Sequence, residues 1–168
     1  MSNGKGLGIL ALLVGLSGLG LGVYTLIVPQ APIVDNNFGI QNTWFNYNQT
    51  GYATDPPGVD IVIDDLTINF TVNSGESVYF LFNTYAILTG GTPPAIRFNF
   101  VLDGLKKGPP TYPELIFSID SGTQYNSVTL QIATIISAGS HNITVCITGT
   151  SSSNGILYST LIVQTYIP

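Results

Sequence analysis

The sequence has little charge and almost none of the side chains that most active sites require. Charged residues make up 8% of the 168 positions, against about 25% in an ordinary soluble domain. A single Cys excludes an internal disulfide and a cysteine-rich zinc site. Four Lys and Arg residues cannot build the basic stripe that displaces counterions from nucleic acid, so we expect no nucleic-acid partner.

Catalytic and metal-binding patterns are lacking as well. The single His, His141, lies at the start of a predicted strand, and we expect it to be a structural or surface residue. Asp64-Asp65 is an isolated acidic pair without the spacing of a calcium-binding loop. The other acids are too scattered to indicate the paired carboxylates of a glycoside hydrolase. We therefore expect no enzyme, no catalytic residue, no cofactor and no metal ion.

What the sequence does have is a long apolar run near its N-terminus. Leu7–Val28 contains 22 residues without a charge, which suffices for a helix of about 33 Å across a hydrocarbon layer of about 30 Å. Pro29 and Pro32 then end the helix. We expect residues 1–28 to form a short tail and a transmembrane helix. A cleaved signal peptide and a pilin-type leader cut after Lys5-Gly6 are the alternatives.

The flanks and the glycines of this run predict its orientation and its partners. Lys5 precedes the run and no Lys or Arg follows before Arg97, so the positive-inside rule places the N-terminus in the cytoplasm and the rest outside the cell. Gly15, Gly18 and Gly22 are small residues that let helices approach closely. The expected partners are the lipid membrane or neighbouring hydrophobic helices, in a bilayer or in the core of an extracellular filament. Glycines merely tolerated in a membrane helix are the alternative.

Residues 38–168, after a proline-containing stalk at 29–37, are predicted to form one all-β ectodomain. Short runs alternate apolar and polar residues with period two, as strands with one buried face do. The clear runs are Leu66–Val72, Ile96–Leu102, Val128–Ile132 and Ile143–Ile147, and the weaker ones are 40–47, 59–63 and 114–119. Ser77–Leu88 and Ile156–Ile167 are almost continuously apolar, which predicts central strands or strands apolar on both faces. About eight to ten strands in an antiparallel sandwich are expected.

The breaks between these runs carry turn residues. Asn73-Ser-Gly75 separates two predicted strands. Asp103-Gly104 is a dipeptide that favours the left-handed conformations of a two-residue hairpin.

The second half of the chain resembles a known superfamily. The strand Ile96–Gly104 ends in a charged turn, Ile136–Val145 reads Ile-Ser-Ala-Gly-Ser-His-Asn-Ile-Thr-Val, and Leu161–Pro168 closes the chain with an apolar strand. This order resembles the TNF/C1q-like jelly-roll domain, and with the N-terminal anchor it is most similar to archaeal cell-surface proteins of that type. The resemblance implies a single jelly roll, outward display and trimers, and it carries over no functional residue.

Three sequons make glycosylation a further expectation. Asn48, Asn69 and Asn142 each begin an Asn-x-Thr triplet, and the predicted topology places all three outside the cell. Asn69 and Asn142 occupy the polar phase of their strands, so both side chains are expected to point outward. Chance occurrence in an Asn- and Thr-rich chain is the alternative.

Cys146 alternates with threonines and lies off the main apolar phase of its strand. We expect a small buried residue packed against a neighbouring strand or subunit. An intermolecular thiol is the alternative in an extracellular protein. The aromatic clusters Trp44–Tyr47 and Tyr79–Phe82 are expected in the core. Carbohydrate stacking on Trp44, Tyr47 or Tyr52 is the alternative.

The high apolar fraction and low charge predict self-association, because monomers avoid large exposed apolar patches. We therefore expect a structural cell-surface protein whose copies form trimers, or an extracellular filament or array. An adhesin or receptor that binds glycans or another cell, and a viral envelope or coat protein, are the alternatives.

Overall fold

A computed structural model of the chain describes residues 39–89 and 93–168. These residues belong to one compact unit, Asn37–Pro168. Within them, no helix has the length and apolar character needed to cross a bilayer. The expected transmembrane helix, its glycines Gly15, Gly18 and Gly22, and the stalk at 29–37 all lie outside the described residues.

Eleven strands make up most of the described chain, and all their pairings are antiparallel. In chain order they are β1 (Gly39–Asn48), β2 (Tyr52–Ala53), β3 (Ile61–Val62), β4 (Ile68–Val72), β5 (Ser77–Thr89), β6 (Ala95–Leu102), β7 (Leu105–Lys106), β8 (Leu115–Ser118), β9 (Thr123–Thr134), β10 (Gly139–Gly149) and β11 (Gly155–Ile167). A short 3-10 turn at Asp64–Leu66 precedes β4.

The strands form two sheets. The five-strand sheet has the order β1-β11-β5-β9, with β2 also paired to β11. In the six-strand sheet β10 and β6 are central, with β3 and β4 beside β10 and β7 and β8 beside β6. The eight longest strands therefore read β1-β11-β5-β9 and β4-β10-β6-β8, which is the strand order of a jelly roll. The expectation of an all-β antiparallel sandwich is confirmed.

The core lies between the sheets and follows the predicted alternation. The inward residues of β10, Ile143, Val145 and Ile147, have no exposed surface. The centre of the core is a set of four fully buried phenylalanines from β5 and β6 whose rings face one another across the sandwich: Phe80, Phe82, Phe98 and Phe100. Burial of these aromatic rings stabilises the sandwich, together with the aliphatic side chains around them.

The two nearly continuous apolar runs are the two central strands of the five-strand sheet, as expected. β11 pairs with β1 and β5, and β5 pairs with β11 and β9. One face of each strand fills the core. The opposite face of each strand is also largely apolar, and it forms part of the outer surface of this sheet.

The Asp103-Gly104 hairpin is confirmed. Asp103 has φ 52° and Gly104 has φ 73°, and Leu102 pairs directly with Leu105. Positive φ at both central residues is the requirement of the two-residue turn that this dipeptide predicted.

Candidate association surface

The outer face of the five-strand sheet has no charged side chain. The residues that point outward from its four long strands are Ile40, Thr43, Phe45 and Tyr47 of β1, Leu157, Thr160, Ile162, Gln164 and Tyr166 of β11, Tyr79, Leu81, Asn83, Tyr85, Ile87 and Thr89 of β5, and Thr123, Tyr125, Ser127, Thr129, Gln131 and Ala133 of β9. We call this set the uncharged face. Its members come from both ends of the described chain and meet only because β1 pairs with β11.

An apolar row crosses the middle of the uncharged face. Phe45 lies opposite Ile162 in the β1–β11 ladder, and Ile162 lies opposite Leu81 in the β11–β5 ladder. Phe45 is the most accessible of the three, with 73% of its surface exposed. Tyr47 is also exposed, at 47%. Phe45 and Tyr47 were expected in the core, and so were Tyr79 and Leu81. That prediction is wrong for these four residues, because alternate residues of a strand point to opposite faces and the inward positions are those of Trp44, Asn46, Phe80 and Phe82.

Neutral contacts order the side chains around this row. The Tyr79 hydroxyl donates to Gln131 Oε1 at 2.6 Å, and Thr129 Oγ1 donates to Asn83 Oδ1 at 2.6 Å. Tyr85 stacks on the neighbouring strand's Tyr125 at a ring separation of 6.2 Å. The uncharged face is therefore a preformed surface of apolar and neutral polar groups, which resembles the charge-depleted centre of a protein interface.

The outer face of the six-strand sheet differs, because it carries charge. Lys106 Nζ binds Asp60 Oδ1 at 2.6 Å, and the Thr148 hydroxyl donates to the same carboxylate. These two hydrogen bonds lower the pKa of Asp60. Beside them lies a groove of about 780 Å³ whose wall includes Arg97. Within residues 39–89 and 93–168, the Arg97 guanidinium has no carboxylate at salt-bridge distance.

Hydrogen bonds of His141 join the β6–β7 turn, which carries Asp103, to the connection between β9 and β10, which carries Ser137. We call this arrangement the clamp. Nδ1 of His141 lies 2.8 Å from Asp103 Oδ2, and its Nε2 lies 2.9 Å from the Ser137 carbonyl oxygen. The second Asp103 oxygen accepts the Asn142 N–H at 2.9 Å. Both ring nitrogens of His141 are thus engaged within the fold. This arrangement supports the structural role expected for His141 and leaves no ring nitrogen for a metal ion or a substrate proton.

Each member of this pair favours the charged form of the other. The hydrogen bond to Asp103 raises the His141 pKa above its ordinary 6.5, although burial opposes the charge. Burial also opposes ionisation of Asp103, but hydrogen bonds from His141 and Asn142 outweigh it and lower the carboxyl pKa below 3.8. The stabilisation from His141 is complete below pH 6.5 and is lost as pH rises through its raised pKa. The stabilisation from Asp103 is present above pH 3.8 and is lost as pH falls through its lowered pKa.

We expect Asp103→Asn to lower the pKa of His141, because the substitution removes the carboxylate that favours the imidazolium. His141 is the single His of the chain, so its ring proton resonances report this pKa directly in an NMR titration. The control is Asp120→Asn, which changes an exposed carboxyl that makes no contribution to the His141 pKa. An unchanged titration curve in Asp103→Asn would contradict the clamp.

Cys146 is almost completely buried, with 1% of its surface exposed. It lies opposite Asn99 of β6 and Val62 of β3 in the six-strand sheet. Burial raises the pKa of its thiol to about 11. A buried, protonated thiol reacts poorly. The position therefore favours the small buried residue over the intermolecular thiol.

The three sequon asparagines occupy different surroundings. Asn69 and Asn142 are exposed and point outward as expected, and they lie directly opposite each other in the β4–β10 ladder. Their Cβ atoms are therefore about 5 Å apart, which leaves little room for a glycan on each. The Asn48 amide is partly buried and donates to the Tyr52 hydroxyl at 3.0 Å and to Asp65 Oδ2 at 3.3 Å.

The Asp65 carboxylate holds this corner of the sandwich together. The Tyr52 hydroxyl donates to Asp65 Oδ2 at 2.6 Å. Burial and this carboxylate raise the Tyr52 pKa to about 12. No group of three or more His, Cys, Asp or Glu side chains that could hold a metal ion occurs in the described ranges.

Comparisons with known proteins give remote structural likenesses only. No family model matches the chain, and no curated protein sequence matches it. A disulfide-linked pilus of Bacillus endospore appendages is 15% identical with a TM-score of 0.37, over 82% of this chain and 99% of the other. A protein of infectious bursal disease virus, Gx strain, is 11% identical with a TM-score of 0.45, over 83% of this chain and 36% of the viral one.

A third likeness is to the CBM36-1 domain of a multidomain xylanase from the hindgut metagenome of Trinervitermes trinervoides. It is 12% identical with a TM-score of 0.37, over 73% of this chain and 96% of that domain. With identities and TM-scores this low, the fold assignment rests on the strand order itself.

Proposed function

We propose that the chain is a non-enzymatic structural protein whose copies associate through the uncharged face. The observation that carries the proposal is the complete lack of charge on that face, with the row Phe45, Ile162 and Leu81 at its centre. The N-terminal run Leu7–Val28 would hold the sandwich at the cell surface or in a filament core. Display of the domain in the manner of archaeal TNF/C1q-like surface proteins belongs to the same proposal.

The energetics of exposed surface support association at this face. An isolated chain would leave its apolar row in water, and a contiguous apolar patch ringed by polar groups is typical of an interaction site. Burial of such a patch is favourable by about 25 cal/mol per Å². Neutral Thr, Asn and Gln side chains around the row can exchange water for partners at a lower cost than charged groups.

The distribution of charge in the described residues supports the same surface. Every charged side chain of the two described ranges lies outside the uncharged face, at turns, at hairpins or on the six-strand sheet. In an isolated chain, some of those charges on this exposed face would raise solubility. The absence of charged residues from all four long strands therefore supports association at the uncharged face.

The test is Phe45→Glu in the full-length chain. The side chain is mostly exposed in one copy, so the fold should tolerate the change. In an assembly the carboxylate would be buried without a partner, at a cost of about 3 kcal/mol, which corresponds to roughly a hundredfold weaker association. Light scattering, with both chains in the same detergent, and electron microscopy should show smaller particles for Phe45→Glu than for the unaltered chain.

The matched control is Ile135→Glu. Ile135 is 79% exposed and lies in the connection between β9 and β10, away from the uncharged face. It introduces the same charge at an equally accessible apolar residue, so particle mass should not change. Equal masses for both variants and the unaltered chain would contradict association through the uncharged face.

The groove beside Arg97 favours a second candidate function, a module that binds acidic glycans. Its carrying observation is a guanidinium that has no carboxylate partner in the described residues and faces a groove of about 780 Å³. Electron microscopy separates the two candidates: extended rods or sheets favour the structural protein, and discrete oligomers that bind glycans favour the module. Closed particles would contradict both and favour the viral coat protein that the sequence left as an alternative.

A further inference from the structure

The two edges of the five-strand sheet are long strands. β1 has 10 residues and β9 has 12, and neither strand contains a charged residue or a proline. In the part of the chain that the structure describes, neither strand has a second strand partner. An edge of this kind offers backbone N–H and C=O groups to any strand of matching length. In β1 the regular part of the edge runs from Asn42 to Asn48, beyond the bulge that follows Ile40.

The edges of the six-strand sheet lack this character. They are built from β3, β4, β7 and β8, which have only two, five, two and four residues. Asp60 precedes β3, Lys106 lies within β7, and Pro113-Glu114 precedes β8. Short strands, charges and prolines are the features by which proteins block edge pairing. One molecule thus blocks the edges of one sheet and leaves those of the other open.

The directions of β1 and β9 fit pairing between copies. Each neighbouring pair in the order β1-β11-β5-β9 is antiparallel, so β1 and β9 run in opposite directions within one chain. When two copies stand side by side in the same orientation, β9 of one therefore meets β1 of the next as an antiparallel strand. This contact uses two different surfaces, so it repeats without closing on a pair.

We propose that β9 of one copy pairs with β1 of the next, so that the five-strand sheets of successive copies join into one continuous sheet. The inference deepens the proposed self-association and rests on it. Pairing of β1 with β9 also extends the uncharged face from copy to copy, because Phe45 of one chain then lies beside Ser127 of its neighbour when the strands align at their centres. The product is an open linear polymer.

The test joins β1 to β9 with engineered thiols in the full-length chain. Thr43→Cys and Thr129→Cys place small side chains on the outer face of β1 and β9, opposite each other when the strands align at their centres. Within one chain they stand three strand spacings apart, and the register places Thr43 level with Ala133, so their separation is more than about 14 Å. A bismaleimide shorter than that separation can therefore join them only between copies. Cys146 stays unreactive because it is buried.

The double variant should give a ladder of covalent species that extends beyond the dimer after the reagent is quenched and the protein denatured. Each single variant should lose that ladder. Abundant dimers from Thr129→Cys alone would overturn the proposal in favour of β9 pairing with β9. Particles of unchanged mass without a ladder would overturn the edge contact and leave the proposed association intact, whereas a monomeric chain would overturn both.

Hydrogen exchange of the unaltered chain gives a second measurement that needs no substitution. Backbone amides in residues 39–48 and 123–134 should exchange more slowly in the polymer than in the same unaltered chain dissociated by dilution. The control peptide is β4, an edge strand of the other sheet, whose exchange should be equal in both states. Equal exchange at β1 and β9 in the two states would overturn the proposal.

Discussion

Phe98→Ala should lower the free energy of unfolding by about 3–5 kcal/mol. Phe98 has no exposed surface, and its ring lies 6.1 Å from that of Phe82 on the opposite sheet. Its strand neighbours Ile147 and Leu115 are fixed by backbone pairing, so they cannot move in to fill the space. The lost stability therefore has two parts: the favourable free energy of moving the ring out of water on folding, which the variant no longer gains, and the cost of the cavity that remains.

Urea unfolding followed by the fluorescence of Trp44 measures this loss. Trp44 is the single Trp and packs 6.0 Å from Phe70, so its emission reports the closed sandwich. The matched control is Phe45→Ala, measured at a dilution where the chain is monomeric. This substitution removes the same side chain from an exposed site. That control should change stability by no more than about 0.5 kcal/mol. Equal losses for Phe98 and Phe45 would mean that the faces of β6 or β1 are reversed.

Gly149→Ala should also destabilise the fold, by about 1–3 kcal/mol. A Cβ atom at Gly149 would lie 2.0 Å from Thr54 Oγ1 and 2.5 Å from Thr54 Cβ. Thr54 is fully buried and cannot turn aside, because its hydroxyl donates to Ser151 O at 2.6 Å and its N–H donates to Asn154 O at 2.9 Å. The whole segment that carries Thr54 would have to shift.

Two comparisons separate this clash from a general loss of glycine. Gly108→Ala is the matched control, since its Cβ atom would meet only Asn99 Nδ2 at an ordinary 3.6 Å. In a Thr54→Gly background, Gly149→Ala should cost less than in the unaltered chain, because the atom that it strikes is gone. Strict additivity of the two substitutions in urea unfolding would contradict the contact.

Some of the fold could be predicted because it depends on local pattern. Alternation places Ile68, Phe70 and Val72 on the inner face of β4 wherever that strand pairs, since successive side chains of a strand point to opposite sides. The Asp103-Gly104 turn is local for the same reason. Leu66 was assigned to this strand and is buried, but it ends the 3-10 turn that precedes β4.

The sequence predicted that an association surface exists, but it did not predict which residues form that surface. Low charge and runs that are apolar on both faces predicted self-association, but they did not say which side chains would meet. Trp44–Tyr47 was assigned as a whole to the core, because four aromatic or polar residues in a row do not show which phase faces inward. Pairing with β11 decided this phase and sent Phe45 outward to lie beside Ile162.

By itself the sequence determined strands, turns, a sandwich and a surface with few charges, because these follow from residues that are neighbours along the chain. Only the tertiary structure decided that β1 joins β11 at one end of a sheet and β9 lies at the other. Strand order arises from pairing between segments far apart in sequence, which no local period records. That order alone collects the uncharged residues of four strands on one face and leaves its two long edges open.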